Sequence, residues 1–453
     1  MAQIVLGDIR TLDPAGGRAV VEAMAIGGGR VLAVGTRAEA QAAAPAGTPV
    51  HRPDGAVIVP GLIDAHLHLQ WAGLKLLRLL GPDDGPIPVA DALAALDADA
   101  FSVPWPDGEP TLDERLAGLR LIQPVIHALG ITGVVDPAVL PAELAAYTEC
   151  HRRGELTVRV VAMPHPDVSA GADGAIRALD ALGVRTGFGD AQLRLGGVKV
   201  YFDGVGMGAT ALRREPWPGR EDEPDGRGWQ RLPTEDFAAI ADYCARERWS
   251  LGVHVVGGGG IDAVLGVFAA VDARTPIADR RFTLIHAYLE PSAANLAQAR
   301  GLGVLVAAQP SIHWSNGAGL VARLGPEAAA SNPLRSWIDA GVTVAGGSDG
   351  PDFPLDPRLG LWQARTRRVR GDDAPHAPEQ ALDAAQALAL YTTQAAVASL
   401  CDDERGMLRP GLLADWTALS VDPVRAGPDA VRTMTIAETA VGGRRVHAHE
   451  EDR

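Results

Sequence analysis

The chain has 453 residues, of which 47% are hydrophobic and 21% are charged. This composition is typical of globular proteins, and at roughly 100–200 residues per domain the length predicts about two to four domains or one large barrel with additions. The formal net charge of −15 argues against nucleic acid and anionic membranes as partners, because both require basic surfaces. We therefore expect a soluble protein that acts on a small molecule.

Cysteine content and the N-terminal residues predict a cytoplasmic location. The cysteines Cys150, Cys244 and Cys401 are widely spaced and form no CxxC pair, which favours free thiols in a reducing compartment. The N-terminal sequence lacks the basic segment and apolar core of a signal peptide. No apolar run reaches the ~18 residues that span a bilayer.

Both ends of the chain carry strand signals. Residues 21–26 and 30–34 flank a glycine turn and predict a hairpin, and residues 414–421 and 433–440 form a similar pattern before the glycine pair at 442–443. The middle of the chain differs, because strand signals alternate there with helix signals.

Eight apolar runs in the middle predict strands, and several gaps between them predict helices. This alternation favours a (β/α)₈ barrel, with a doubly wound open sheet as the alternative. Two segments rich in Pro, Gly and acidic residues, 102–110 and 215–231, predict long loops, and the basic run 365–370 predicts a solvated helix face. The predicted strands are 56–63, 131–135, 156–163, 195–202, 251–256, 282–286, 303–308 and 341–346.

The segment Pro60–His68 carries the strongest chemical signal. Its apolar strand runs into His66 and His68, and because side chains alternate along a strand, both imidazoles project to the same side. Imidazole pairs at this spacing are suitable metal ligands. In a (β/α)₈ barrel, functional sites lie at the carboxyl ends of the strands.

Four further polar residues lie toward the ends of predicted strands: Lys199, His254, His286 and Asp349. Each alone is explained as well by a hydrogen-bonded core or loop residue. Together with the histidine pair they mark five of the eight strand ends, which predicts a shared site at one end of the barrel.

Lysine is rare in this chain. Of the 41 basic residues, only Lys75 and Lys199 are lysine, and an arginine cannot lose its proton to act as an amine. A lysine inside an apolar strand is also costly to bury as a cation. Lys199 is therefore the lysine most suited to a chemical role.

Seven segments resemble the amidohydrolase superfamily of metal-dependent hydrolases. VKVYFDG and the SDGP within the fifth segment are most similar to amidohydrolase family 3, the YtcJ-like branch. The resemblance implies a distorted TIM barrel (60–407) and a small β-sandwich domain built from both termini (1–59 and 408–453). The segments are PGLIDAHLHL (60–69), VKVYFDG (198–204), VHVVG (253–257), LIHAYL (284–289), GGSDGPDFPLDP (346–357), YTTQAAVA (391–398) and GMLRPGLLADWTALSVDP (406–423).

The resemblance also implies a set of metal ligands. His66 and His68 match the ligands of the more buried metal ion, while His254 and His286 match those of a second ion. The implied cofactors are two divalent ions, with zinc favoured and manganese, iron or cobalt as alternatives.

Two residues match catalytic positions of the family. Lys199 matches the lysine that CO₂ converts to a carbamate and that bridges both metal ions, and Asp349 matches the aspartate that binds the first ion and transfers protons. The ions lower the pKa of a bridging water. The implied reaction is hydrolysis of an amide, carbamate or related C–N bond in a small molecule.

Residues around these positions are candidates for substrate contact, with packing or loop anchoring as the alternative for each. Where the branch often has Gly-Asp-Arg-Ala after the His254 position, this chain has four glycines at 257–260, so the surroundings of the metal ligands are expected to differ. The candidates are His165, Tyr201, Asp203, Tyr288, His313 and Trp314.

Two other functions remain as alternatives. A deaminase of a heterocyclic amine uses the same scaffold, but such enzymes usually lack the bridging lysine and carry His-x-x-Glu after the fifth strand, where this chain has His254–Gly257. A non-catalytic barrel that binds a metal ion or ligand is the second alternative, since fold does not fix function. A homo-oligomer is expected only because members of the superfamily commonly form one.

Overall fold

The structure is a computed structural model that describes residues 2–81, 87–97 and 108–449, so most of the predicted loop 102–110 lies outside the described residues. None of the described helices has both the length and the apolar composition needed to cross a bilayer.

The strands are β1 (Gln3–Arg10), β2 (Val20–Gly27), β3 (Arg30–Gly35), β4 (Val50–His51), β5 (Val57–Pro60), β6 (Leu62–Asp64), β7 (Ile131–Val139), β8 (Arg159–Pro164), β9 (Leu193–Leu195), β10 (Val198–Tyr201), β11 (Leu251–Val255), β12 (Thr283–His286), β13 (Leu305–Ala308), β14 (Val344–Gly346), β15 (Trp416–Leu419), β16 (Ile436–Val441) and β17 (Arg444–Ala448). The α-helices are α1 (Arg37–Ala43), α2 (Leu69–Leu80), α3 (Val89–Asp97), α4 (Leu112–Ala128), α5 (Pro141–Arg152), α6 (Gly171–Ala181), α7 (Thr234–Arg246), α8 (Gly258–Asp272), α9 (Ala293–Leu302), α10 (Pro310–Leu324), α11 (Leu334–Asp339), α12 (Pro357–Thr366), α13 (Ala384–Leu390), α14 (Thr393–Ala398) and α15 (Pro428–Arg432).

Strands from both ends of the chain share one sheet. Its order is β17-β16-β15-β5-β1-β2-β3, with β4 paired to β1. The predicted hairpin is β2–β3, and its register pairs Gly27 with Arg30. Beyond the edge strand β3, the backbone N of Val31 donates to O of Leu412 at 2.9 Å. The sheet therefore curls over a core of its own, which contains Met24 and Trp416.

The middle of the chain forms two parallel sheets. β6, β7, β8 and β9 are neighbours in one, and β10 to β14 are neighbours in chain order in the other. Helices connect successive strands, as α7 does between β10 and β11. All residues of β11 and β13 are buried, as expected where both faces of a parallel sheet are covered. The predicted alternation of strand and helix is confirmed as an α/β fold.

Two predicted strands are each divided between two sheets. The strand predicted at 56–63 breaks at Gly61, so that β5 joins the terminal sheet and β6 joins a parallel sheet. A Cβ at Gly61 would lie 2.3 Å from Oγ1 of Thr132, so glycine permits this close passage. The strand predicted at 195–202 breaks at residues 196–197, between β9 and β10.

The helix that follows the histidine pair is held by close packing. α2 begins directly after His68, its N-cap residue, and packs against α4. A Cβ at Gly73 of α2 would lie 2.4 Å from O of Gly118 in α4, so the two backbones are in contact. α4 begins with a capping box between Thr111 and Glu114. The position of His68 is thus set by a rigid helix pair.

The basic run at 365–370 is not a solvated helix face, so this prediction is wrong at its centre. α12 ends at Thr366, and Arg367 is fully buried. Its guanidinium donates to the carbonyl oxygens of Ser331 at 2.8 Å, Asn332 at 2.9 Å and His376 at 3.0 Å. These bonds pair the buried guanidinium with backbone acceptors from three residues, as a buried charged group requires.

Candidate metal centre

All six predicted ligands line one cavity of about 420 Å³. They extend from the carboxyl ends of strands in both parallel sheets, and all six are buried. The parallel direction of the strands brings these ends to one side of the molecule. The residues are His66, His68, Lys199, His254, His286 and Asp349.

His66, His68 and Asp349 form the tightest cluster. Oδ1 of Asp349 lies 3.1 Å from Nε2 of His66 and 3.5 Å from Nε2 of His68. One potential ligand atom from each of the three lies within 4.8 Å of the others. Asp64 supports the cluster, because its Oδ1 accepts from the backbone N of His66 and of Ser348, both at 3.0 Å.

His254 and His286 lie beside this cluster with their rings oriented by hydrogen bonds. Nδ1 of His286 is 2.8 Å from Oε1 of Gln309, whose Nε2 donates to O of Ala307 at 3.0 Å. Because the amide is fixed in this direction, His286 donates from Nδ1 and keeps Nε2 as an acceptor. Nε2 of His254 is 3.0 Å from O of Gly204, which leaves Nδ1 of His254 with a lone pair.

Lys199 is buried without a counter-ion in contact. Its residue surface is 1% exposed, and among the residues that the structure describes no carboxylate forms a salt bridge with it. Burial lowers the pKa of Lys199 to about 7, against which the charge of Asp349 acts weakly. A substantial fraction of the amine is therefore neutral, and thus nucleophilic, near neutral pH.

The histidine and aspartate pKa values suit ligand chemistry. Burial lowers the pKa of His66 to about 4 and that of His254 to about 3, so both are neutral at pH 7. Burial disfavours the charged form of Asp349 too, but the charge and hydrogen bonds of His66 and His68 outweigh it and hold its pKa well below the usual range. For His68, the hydrogen bond and charge of Asp349 outweigh burial and raise the pKa.

The residues present fit a divalent cation. Within the described residues, the buried Nδ1 atoms of His66 and His68 have no hydrogen-bond partner, a state that a buried imidazole seldom adopts. His286 and Asp349 have φ angles of 77° and 58°. Such left-handed backbone is strained for these residues and clusters at functional sites. Imidazoles and a carboxylate together suit zinc, manganese, iron or cobalt.

Of the predicted substrate-contact residues, three lie at cavities. Tyr201 and Tyr288 line the cavity of the metal centre, and the hydroxyl of Tyr288 accepts from the backbone N of Gly206 at 3.2 Å. Trp314 lines a neighbouring cavity of about 400 Å³, where the guanidinium of Arg370 lies 5.7 Å from its ring centroid.

His165 and His313 are not among the residues that line the cavity, so direct substrate contact is not supported for them. Nδ1 of His165 is 2.8 Å from the carbonyl oxygen of Lys199, and His165 therefore braces the strand that carries the lysine. His313 is buried on α10, with Nδ1 3.2 Å from Oγ of Ser331. His313 lies in the first turn of α10, and its ring packs near that of His376.

Asp203 also lies outside the cavity lining, and its contacts are those of a loop anchor. Its carboxylate accepts from the backbone N atoms of Val256, Gly257 and Leu212, each at 2.9 Å. Burial outweighs these bonds and raises the pKa of Asp203 to about 7. The carboxylate thus joins the end of β10 to the start of α8.

The four glycines at 257–260 make room for this arrangement. A Cβ at Gly257 would lie 2.2 Å from O of Leu212, and one at Gly259 would lie 2.7 Å from O of Arg213. The loop after β10 therefore packs directly on the backbone at the start of α8. Close packing therefore explains why glycines stand at 257–260, where the family branch often has Gly-Asp-Arg-Ala.

Gln309 and Arg231 are among the polar residues at the site that sequence reasoning missed. Gln309 follows β13, and the strand-end rule that identified the ligands would have found it. Arg231 lines the cavity but extends from the long irregular loop predicted at 215–231, for which no strand-end rule applies.

The fold and the buried cluster together define the class of a metal-dependent hydrolase. A model of the Amidohydrolase family matches residues 109–447, so the chain belongs to the amidohydrolase family. The predicted enzyme class is confirmed at this level. The match contains Lys199, His254, His286 and Asp349 and begins beyond His66 and His68.

Individual relatives agree with this assignment. The chain is 28% identical over 258 residues to YtcJ of Bacillus subtilis strain 168, which carries the name of an amidohydrolase; the match covers 56% of this chain and about half (47%) of YtcJ. It is 26% identical over 405 residues to an N-substituted formamide deformylase of Arthrobacter pascens, covering 84% and 72% of the two chains. The crystal structure of an uncharacterized metal-dependent hydrolase from Pyrococcus horikoshii OT3 superposes with a TM-score of 0.75 at 21% identity, covering 95% and 99%, and shows the shared fold.

Proposed function

We propose that this enzyme hydrolyses an amide, carbamate or related C–N bond of a small molecule with the help of two divalent metal ions, preferably zinc. His66, His68 and Asp349 would hold one ion, and His254 and His286 would hold the other. Lys199, carbamylated by CO₂, would bridge them.

The observation that carries this proposal is the unbroken run of four imidazoles beside a buried lysine. The ring centroids of His68 and His66 are 5.5 Å apart, those of His66 and His286 are 5.2 Å apart, and those of His286 and His254 are 4.6 Å apart. Four neutral or partly neutral imidazoles in contact are poor packing partners for one another, yet they are typical of sites for more than one ion.

Reaction with CO₂ would give Lys199 a carbamate, a metal ligand that none of the standard side chains provides. The neutral Nζ of Lys199 attacks the carbon of CO₂, a C–N bond forms and one proton leaves to solvent. The product carries a negative charge shared by two oxygens, which replaces a neutral amine by an anion in a buried site rich in metal ligands. This exchange favours divalent cations on electrostatic grounds.

The remaining chemistry is assigned to Asp349. The ions held by these residues would supply a water of lowered pKa and polarisation of a substrate carbonyl. Asp349 accepts the proton of the attacking water and donates it to the leaving nitrogen, so that the C–N bond breaks to give an acid and an amine. The name of the formamide deformylase relative supports a C–N bond in a small amide.

The fold expected for this function is a closed, distorted (β/α)₈ barrel of residues 60–407. Its support is the contact between the first and last parallel strands, where the backbone N of Ala65 donates to O of Gly346 at 3.0 Å. The curled terminal sheet is the proposed β-sandwich domain of 1–59 and 408–453. Three buried free cysteines are in keeping with a cytoplasmic location.

A substrate panel tests the proposal. Protein loaded with zinc, manganese or cobalt in the presence of bicarbonate is incubated with N-formyl, N-acyl and N-carbamoyl amines, and the released primary amine is measured. Release that is abolished by a chelator and restored by metal supports the proposal. Ammonia release from aminopyrimidines without amide hydrolysis would support a deaminase instead, and tight metal binding with no turnover would support a binding protein.

A further inference from the structure

Arg231 reaches the cavity of the metal centre from the long loop between β10 and α7. Its backbone N donates to O of Phe202 at 2.7 Å, and the preceding Gln230 pairs with Asp203 in an isolated bridge. The arginine is therefore held beside the end of β10. Its side chain lines the same cavity as the proposed metal ligands.

The guanidinium contacts a ring that Lys199 also contacts. Cζ of Arg231 is 5.5 Å from the centroid of Tyr201, and Nζ of Lys199 is 4.7 Å from the same centroid. Stacking on an aromatic ring orients a planar guanidinium and leaves its N–H groups available. Because both groups also line one cavity, a small molecule bound there can present a carbonyl to the metal centre and an anion to Arg231.

Arg231 is exposed, and among the described residues its guanidinium makes no salt bridge and lies near the ring of Tyr201. Three other arginines of the same loop are paired with carboxylates, whereas the exposed Arg227 forms no salt bridge among the described residues. These pairs are Arg213 with Glu290, Arg214 with Asp262 and Arg220 with Glu223.

The remaining walls of the cavity restrict where an anion is stable. The acidic residues that line it are Asp349 and Asp352, which repel a carboxylate. Much of the rest is apolar, including Met207, Ile312 and Phe353. An anionic group is therefore stabilised at Arg231, and an apolar group packs against the other walls.

We infer that Arg231 binds a carboxylate of the substrate, and that the substrate is an N-acyl or N-carbamoyl derivative of an apolar amino acid. A guanidinium binds a carboxylate through two parallel hydrogen bonds, which fixes its direction as well as its position. Arg231 is thus a specificity-determining residue. This inference rests on the proposed hydrolysis of a C–N bond.

The test compares two substrates that differ only in charge, N-acetyl-leucine and N-acetyl-leucinamide. Metal-loaded wild-type enzyme, Arg231→Gln, Arg231→Lys and the control Arg227→Gln are assayed for leucine or leucinamide release. Arg227 is exposed in the same loop and does not line the cavity. Binding of both compounds is also measured by calorimetry on the same proteins.

We expect wild type to prefer the acid by at least about ten-fold in kcat/KM, since the amide cannot form the charge-assisted pair of hydrogen bonds with Arg231. Arg231→Gln should lose this preference through KM, Arg231→Lys should retain part of it, and Arg227→Gln should retain all of it. Equal use of acid and amide by wild type, unchanged in Arg231→Gln, would overturn the inference and leave hydrolysis intact.

Failure of the proposed function looks different. If neither compound nor any neutral amide or carbamate is cleaved by folded, metal-loaded protein, hydrolysis is wrong, and calorimetry alone decides the role of Arg231. Binding of N-acetyl-leucine that is at least ten-fold weaker in Arg231→Gln than in Arg227→Gln would support carboxylate binding. Equal binding in the two variants would contradict it.

Discussion

Nε2 of His66 lies 3.1 Å from Oδ1 of Asp349, and this contact joins the first strand of one parallel sheet to the last strand of the other. The backbone N of Asp349 also donates to O of His66 at 2.7 Å. The two residues are therefore linked through both side chain and main chain. The carboxylate proposed to transfer protons is held in place by the fold rather than by a flexible loop.

Replacing Asp349 by Asn separates catalysis from simple binding. The amide cannot accept a proton, so kcat/KM for amide hydrolysis should fall by about 10²–10⁴-fold, the usual contribution of general acid–base catalysis. Far-UV circular dichroism should be unchanged. Asp373→Asn is the control, because Asp373 is exposed and lies away from the cavity. A loss equal in both variants would remove the proposed role of Asp349.

Recovery of activity by metal-free enzyme should depend on CO₂ and on pH. Since burial lowers the pKa of Lys199 to about 7, the neutral fraction rises from about a tenth at pH 6 to about nine-tenths at pH 8. At a fixed concentration of dissolved CO₂, the initial rate of reactivation by zinc should rise by roughly ten-fold over this range. Reactivation that is equally fast without CO₂ would contradict carbamylation.

Gln309 should control metal affinity although it is not proposed to bind a metal ion. It accepts from Nδ1 of His286 at 2.8 Å and so keeps Nε2 as the acceptor. Gln309→Leu should weaken zinc binding by about 10–100-fold, the usual effect of losing such a partner. Gln309→Glu retains an acceptor and should restore most of the affinity. Competition with a chelator measures both, and full affinity in Gln309→Leu would refute the positioning role.

Asp203 should contribute to stability more than to substrate binding. Asp203→Ala leaves three buried N–H groups without their acceptor, and each costs about 1–3 kcal/mol when unpaired. We expect a clear fall in the midpoint of guanidinium unfolding, with KM nearly unchanged in the folded fraction. Asp222→Ala in the exposed part of the same loop is the control. A raised KM at normal stability would instead favour substrate contact.

Four of the proposed metal ligands could be predicted because one local rule applies to them, whereas Lys199 was predicted from the rarity of lysine. A polar side chain at or just beyond the carboxyl end of an apolar strand lies near the shared edge of a parallel sheet, and this holds for His66, His254, His286 and Asp349. The break at Gly61 was not predictable, because two sheets divide one continuous apolar run and the close passage against Thr132 joins residues far apart in the chain.

Arg231 and Arg367 show the limit of local patterns. Arg231 enters the cavity because a backbone hydrogen bond to Phe202 directs an irregular loop, and Arg367 is buried because carbonyl groups from distant segments converge on it. Neither position carries a periodic signal. Long-range contacts determine both, so they require the structure.

Metal content per chain tests the central claim most directly. Protein purified without chelator and reconstituted with zinc and bicarbonate should contain about two ions per chain by elemental mass spectrometry, as a bridged pair requires, and Lys199→Met should contain fewer. The absence of any bound ion in folded wild-type protein, even after incubation with zinc, manganese or cobalt plus bicarbonate, would contradict the account.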